Sequence, residues 1–389
     1  MNIYKKVICV TLLVIPILSG CSKNKKDDFD YEWVVNEDET KNKNEEESFL
    51  FPWKNGLEIS ILPPEWMSYY YDSKDYSNIE YYYAQGKETT APKNPTLRWE
   101  YDDEACSDFT ILLSKYKNMQ ESLSFSSENK SYELKCLFAG TTYYYQIKAN
   151  YDDKYIISKR MSFKTVDFFR TIKIDGVCNA RDLGNKKTIN GKKVKQGLVY
   201  RSGNLDEVTS LGISQAQELN IKTDLDLREQ GPTSSPLGEN VNYINNGFGR
   251  YGSPFYVSSS SGVNVAAYQK PMLENLRLFA NKDNLPLVFH CAVGRDRTGT
   301  LAVTLLLLLK VDLEQIKQDY AVSFFSKLCN NDSFTSYESL MNVLFYFFEY
   351  YIGNDNSDNG DIYQRTEEYC LDIGVSKQEI NSIRNNLLE

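Results

Sequence analysis

Leu285-Pro286-Leu287-Val288-Phe289-His290-Cys291-Ala292-Val293-Gly294-Arg295-Asp296-Arg297-Thr298-Gly299-Thr300, with the apolar run that continues to Leu309, decides the fold of this chain's second half. Residues 285–290 read as a short buried strand. Gly299 to Leu309 is apolar on every side, yet it is too short to span a bilayer, which takes roughly twenty residues, and Arg295, Arg297 and Lys310 bracket it. A helix greasy all round, directly after a buried strand, belongs in a core, so an α/β domain with a mostly parallel central sheet follows. The connection carries chemistry. Strand, glycine-containing loop and helix aim backbone N–H groups and a helix N-terminus at one point, which makes an anion cradle. Cys291 sits at its mouth, where the helix terminus and the neighbouring cations favour the thiolate. An anionic nucleophile inside an anion site suits attack on the phosphorus of a bound phosphate ester. Arg297, six positions on, can return over the loop and hold two phosphoryl oxygens in bidentate fashion. Of the eight cysteines, only Cys291 has an arginine at that spacing.

The 389 residues, 41% hydrophobic and 13% aromatic, are enough for two folded domains with extra segments. A formal net charge of −9 argues against a nucleic-acid partner, because phosphate backbones demand clustered cations. His290 is the single histidine, which excludes a three-histidine metal site and would force any Ser-His-Asp triad through that residue. With no cluster of Cys and His, neither a metal nor a cofactor is expected.

Working outward, residues 167–389 alternate strands and helices. Lys195 to Tyr200 and Ile221 to Leu227 read as strands, with a helix from Ser210 to Asn220 between them. Beyond Ser323, the aromatic run Phe345 to Tyr351 and the Asn/Asp-rich stretch Gly353 to Asp361 read as terminal helices closing the domain. Residues 51–166 follow strand-and-turn grammar instead. Thr96 to Tyr101, Phe109 to Leu113, Tyr132 to Cys136, Tyr143 to Ala149 and Ile156 to Phe163 are expected as strands of an all-β sandwich. The Tyr143 to Tyr145 cluster is explained most cheaply as strand core. Tyr69 to Tyr71 and Tyr81 to Tyr83 could equally offer a carbohydrate- or protein-binding surface. Residues 21–50 form an acidic stretch, with five Lys against ten Asp or Glu between Ser22 and Glu47, and read as a flexible tether. In residues 1–20, Lys5 and Lys6 precede an apolar run from Val7 to Leu18 that suits a secretory leader. An oxidising compartment permits a Cys106 to Cys136 bridge, although sequence fixes no connectivity.

Several stretches resemble known families. Leu18-Ser19-Gly20-Cys21 resembles the lipobox of bacterial lipoproteins, which implies lipidation at Cys21, a membrane partner through that lipid, and an exported protein on the periplasmic or cell-surface face of the outer membrane. Leu137-Phe138-Ala139-Gly140-Thr141-Thr142-Tyr143, running on to Ala149, is similar to a late strand of fibronectin type III domains. The His290 to Gly299 loop resembles the H-C-x-x-G-K-D-R-T-G loop of bacterial tyrosine and dual-specificity phosphatases. Asn179-Ala180-Arg181-Asp182-Leu183-Gly184, Val199-Tyr200-Arg201-Ser202-Gly203, Asp224-Leu225-Asp226-Leu227-Arg228 and Asp319-Tyr320-Ala321-Val322-Ser323 match that family's other motifs in order.

That resemblance implies a cysteine-phosphatase domain behind a fibronectin-like sandwich. In it Cys291 is the nucleophile that forms a cysteinyl-phosphate, Arg297 binds phosphate and Asp296 is the general acid, with Asp226 next in line. Ala292, Val293, Gly294, Arg295 and Thr298 bind substrate as parts of the loop, and Thr298 is also placed to hydrogen-bond the thiolate. His290 braces the loop. Arg201 and Arg181 either line the pocket or pair with Asp residues behind it. Arg295 stands where the family commonly has lysine, a residue associated with phosphoinositide or inositol phosphate substrates. Phosphorylated protein is therefore the favoured substrate, with those compounds as the alternative. A non-catalytic phosphate-binding or adhesive surface protein is a third reading, against which the intact Cys291, Asp296 and Arg297 set argues.

Overall fold

The computed structural model describes residues 48–63, 87–104, 106–249, 265–327, 345–351 and 360–389. The leader, Cys21, most of the acidic tether and the Tyr69–Tyr71 and Tyr81–Tyr83 clusters lie outside them. No helix among the described residues is long and apolar enough to cross a membrane.

The N-terminal half is built of strands: β1 (Phe49–Leu50), β2 (Leu57–Ile59), β3 (Thr96–Arg98), β4 (Glu100–Tyr101), β5 (Phe109–Ser114), β6 (Leu123–Ser127), β7 (Ser131–Glu133), β8 (Thr142–Asn150), β9 (Tyr155–Ile157) and β10 (Met161–Thr165). One sheet runs β2-β10-β8-β5-β6 with β9 added alongside β8, and β1 with β4 and β3 with β7 form two separate ribbons. Alternation along β8 turns Tyr143, Tyr145, Ile147 and Ala149 inward, where they meet Phe109, Ile111 and Phe163. Tyr143 and Tyr145 are thus core. The Tyr132 to Cys136 strand is shorter than expected, ending at Glu133, and Cys136 has a left-handed backbone with φ +54°. The permitted Cys106 to Cys136 bridge is absent: Cys106 is buried with its Sγ 3.6 Å from the Asp108 carbonyl, whereas Cys136 is exposed and faces Glu218.

The C-terminal half carries a sheet in the order β11-β12-β15-β13-β14, namely Arg181–Asp182, Val199–Ser202, Leu287–His290, Thr223–Asp226 and Asn242–Asn245. The last four strands are parallel, and only β11 runs antiparallel. Every residue of β12, β13 and β15 is buried, as a parallel sheet covered on both faces requires. Leu287 and Phe289 face a core made with α2 (Val265–Ala280) and α3 (Asp296–Leu308), while Val288 and Tyr200 face a second core that includes Ala216 of α1 (Ser210–Glu218). Within α3 every residue from Thr298 to Leu308 is buried, so its all-round apolarity marks a core helix. α4 (Leu313–Ala321), α5 (Ile362–Asp372) and α6 (Lys377–Leu387) complete the layer. Two expected boundaries moved for local reasons. The strand expected from Lys195 starts only at Val199, since Gly197 sits at φ +81°, and α1 stops before Asn220, which is left-handed at φ +55°.

From Glu45 to Glu389 the chain is one compact unit. Arg170 joins its halves: the buried guanidinium donates to the carbonyls of Leu137 and Cys136 at 3.0 and 2.9 Å, pairs with Asp182 at 2.8 Å and stacks on Phe138. Gln196 adds a two-way amide clasp with the backbone of Ala139.

Candidate active site

β15 delivers Cys291 to the carboxyl end of the parallel sheet, and α3 begins at Asp296. Between them, successive carbonyls of the loop are tied outward. The Ala292 carbonyl accepts from the Asn204 backbone N–H and Nδ2 at 3.1 and 3.0 Å. That of Val293 accepts from Asn179 Nδ2 at 3.1 Å, and that of Gly294 from Arg201 Nη2 at 2.8 Å. Carbonyls held outward leave the loop's N–H groups facing the opposite way, toward the centre that the helix N-terminus also faces. Cys291 Sγ lies there, 2% exposed as a residue, and accepts the Gly294 N–H at 3.3 Å. Glycine is required at 294: its φ is +75°, and a Cβ would lie 2.4 Å from the Ser202 carbonyl oxygen.

The expected site residues divide into those that face the cradle and those that hold it. Asp296 and Arg297 are half-buried in the first turn of α3. Arg297 makes one hydrogen bond among the described residues, a long one of 3.5 Å to the Leu227 carbonyl, so most of its donors are uncommitted. His290 is buried between two partners: Nε2 is 2.9 Å from Asp224 Oδ1, and Nδ1 is 3.4 Å from the Cys291 carbonyl.

Three expectations are corrected, and Arg201 takes the second of its two readings. Arg295 is not an open cation of the loop: its side chain is buried, over the Phe324 ring, with Nε 2.8 Å from Asp296 Oδ1. Thr298 Oγ1 is buried and makes no hydrogen bond to the thiol among the described residues. Arg201 is a strut behind the loop, fully buried between the Gly294 carbonyl and Asp319, which it meets at 2.6 Å. Asp226 is an unsuitable acid. Burial alone would raise its pKa, but hydrogen bonds from the Arg228 side chain and backbone, with the Arg228 charge, outweigh burial and hold it lowered.

The residues missed by sequence reasoning are the ones that tie the loop down. Asn179 and Asn204 belong to the quoted motifs or adjoin them, but nothing in a linear string shows that their amides reach the loop carbonyls. Asp319 is the centre of a buried cluster in which Arg181, Lys186 and Arg201 all converge on one carboxylate, at 3.2, 3.2 and 2.6 Å. Ser323 completes it by accepting from Arg181 at 3.1 Å. Burial and repulsion from Arg181, opposed by Asp319, lower the Arg201 pKa to about 10, so it stays charged at neutral pH. Three cations on one carboxylate leave positive potential directly beneath the loop, which complements a bound anion.

A parallel strand ending on a cysteine, a loop whose carbonyls are tied away from it and a helix starting at the same point together define a cysteine-centred anion cradle on an α/β sheet. The chain belongs to the tyrosine phosphatase family, whose model matches residues 172–389. It is 28% identical over 174 residues to a Cupriavidus necator protein named "Putative tyrosine-protein phosphatase", covering 38% of this chain and 61% of that one. A Scheffersomyces stipitis protein, "Putative tyrosine-protein phosphatase OCA1", is 30% identical over 132 residues, covering 31% of this chain and 60% of that one. The chain thus spans about three-fifths of the length of these curated relatives. Among solved structures, the core catalytic domain of the PP-IP phosphatase SIW14 from S. cerevisiae, in complex with citrate, matches at 22% identity and a TM-score of 0.24, covering 38% of this chain and 89% of that one. P. aeruginosa TpbA in complex with pTyr matches at 14% identity and a TM-score of 0.29, covering 46% of this chain and 86% of that one.

Proposed function

We propose that the protein is a phosphatase that hydrolyses phosphomonoesters, phosphotyrosine foremost, without a metal. The observation that carries this is Cys291 Sγ inside a loop whose carbonyls are tied outward, followed at the start of α3 by Arg297, which is half-buried and mostly uncommitted. In the first step Sγ attacks phosphorus, the bond from phosphorus to the ester oxygen breaks, and Asp296 gives its proton to that oxygen. In the second, Asp296 takes a proton from water, the water oxygen attacks phosphorus, the sulfur–phosphorus bond breaks, and inorganic phosphate leaves. Arg297 and the loop amides carry the charge of the transferring group throughout. Asp296 first has to exchange its Arg295 partner for the leaving oxygen.

Burial of Arg295 against Phe324 favours a monophosphate, because that cation is not offered to a second phosphate group. The test of substrate class is kcat/KM of the full chain on phosphotyrosine peptides beside inositol phosphates. The peptides should be turned over faster, and the reverse order would replace the substrate assignment. Asp296→Asn should slow phenyl and alkyl phosphates by about 100-fold while leaving nitrophenyl phosphate nearly unchanged, since only poor leaving groups need the proton. Equal losses on all of them would move the acid elsewhere.

The same reading places the enzyme outside the cytoplasm, carried by a lipid on Cys21 and spaced from the membrane by the acidic tether, with a fibronectin type III-like sandwich ahead of the catalytic part. Support for the sandwich comes from β8, where the Phe138 N–H donates to the Tyr143 hydroxyl at 2.7 Å, five residues downstream at the strand's start. Metabolic labelling with a fatty acid, lost in Cys21→Ala, tests the anchor.

A further inference from the structure

Glu88 lies ahead of the first long strands of the β-rich half, far in sequence from the cysteine loop, yet its carboxylate bridges two segments that flank that loop. Oε1 accepts the Asn179 N–H at 3.4 Å and the Thr90 N–H at 3.2 Å, and it also takes the Thr90 hydroxyl. Oε2 accepts from Ser326 Oγ at 2.8 Å and from the Lys327 N–H at 3.2 Å. Thr89 seals the contact, donating its N–H and hydroxyl to the Phe325 carbonyl at 3.1 and 2.7 Å.

Both segments lead to the loop. Asn179 is left-handed at φ +58°, a conformation that turns its backbone N–H to Glu88 while its side-chain amide holds the Val293 carbonyl. Its own carbonyl and Oδ1 accept from Arg181, which Asp319 also holds. Ser326 and Lys327 follow immediately on the turn that carries Ser323, another partner of Arg181. Whatever fixes the backbone of Asn179 therefore fixes one of the three outward-held carbonyls of the cradle. Glu88 is half-buried and accepts from both sides, which is more than a helix cap or a surface staple needs.

We infer that Glu88 is a positioning residue of the cysteine loop, so that the segment leading into β3 of the β-rich half is a working part of the catalytic site. The inference deepens the phosphatase reading and rests on it for its kinetic readout only. Displacing the Val293 carbonyl by a few tenths of an ångström misaims the adjacent amides, and misplacement of supporting groups on that scale lowers turnover by about tenfold or more.

The test compares the full-length wild type with Glu88→Ala, Glu88→Asp and Lys87→Ala, the last an exposed neighbour that makes none of these bonds. Hydrogen exchange is read on the peptide spanning residues 290–299, and kcat and KM on an aryl phosphate. Glu88→Ala should speed exchange in that peptide selectively and lower kcat by about tenfold, with Glu88→Asp recovering part of both and Lys87→Ala matching wild type. Unchanged exchange at 290–299 in Glu88→Ala overturns the inference, as does faster exchange spread evenly through the chain, which would mark plain destabilisation. Exchange needs no turnover, so a wild type that proved inactive would count against the phosphatase reading and still decide the role of Glu88.

Discussion

Cys291→Ser is expected to lower kcat on an aryl phosphate by roughly 10⁴-fold or more while inorganic phosphate still binds. The two halves of this result come from different parts of the site. Turnover needs an anionic nucleophile, and a serine hydroxyl in the same place holds its proton at any pH the protein withstands. Binding needs the cradle, which is set by Asn204, Asn179 and Arg201 on the loop carbonyls and not by the sulfur. Serine is close to cysteine in shape, and the Gly294 N–H that now reaches Sγ at 3.3 Å can reach a hydroxyl. Steady-state kinetics with phosphate as a competitive inhibitor separate the two. Equal rates in the variant and the wild type would remove Cys291 from the chemistry. A loss of phosphate binding as large as the loss of rate would instead make the thiol a structural element of the loop.

The contrast between Cys291 and Arg201 shows how far the chain could be read without coordinates. A strand, a glycine loop and an apolar helix in succession dictate an anion cradle through backbone geometry alone, and each of these signals is local. Cys291, Asp296, Arg297 and His290 are neighbours in the string itself, so their shared place at the junction of β15 and α3 needs no long-range contact to be read. An arginine in a strand motif carries no such local signal. Arg201 reads equally as a pocket lining or an internal strut until Asp319, 118 residues away, is seen to take its charge. Arg295 misled for a related reason: its position faces the substrate in the loop's register, but a long side chain goes where burial and a partner draw it, here to Phe324 and Asp296. The outline of the β-rich half followed from alternation along strands such as β8, whereas its union with the catalytic half, through Arg170, Gln196 and Glu88, depends on contacts that no periodicity encodes.

Asp319→Asn should cost about 3–5 kcal/mol of stability, because it leaves three buried cations without their shared carboxylate. Arg181, Lys186 and Asp319 are all essentially unexposed, as is Arg201, so no solvent relaxation offsets the lost charge. At roughly 2 °C per kcal/mol the thermal midpoint should fall by about 6 °C or more. The pH dependence has a definite sign. Burial by itself would raise the Asp319 pKa, but the charges of Lys186, Arg181 and Arg201 outweigh it and hold the carboxyl far below the usual range. A group whose folded pKa is depressed contributes its stability above the unfolded value, about 3.9 for Asp, and loses it as pH falls toward the folded value. Denaturant midpoints of wild type and variant should therefore differ by a constant amount from pH 6 to 8 and converge only below about pH 4. A gap that instead closed near neutrality would mean that Lys186, whose pKa burial lowers, had shed its proton and relieved the cluster. An unchanged midpoint at pH 7 would show that the three cations do not depend on this carboxylate, and the strut from Asp319 through Arg201 to the Gly294 carbonyl would then have to be abandoned as the loop's support.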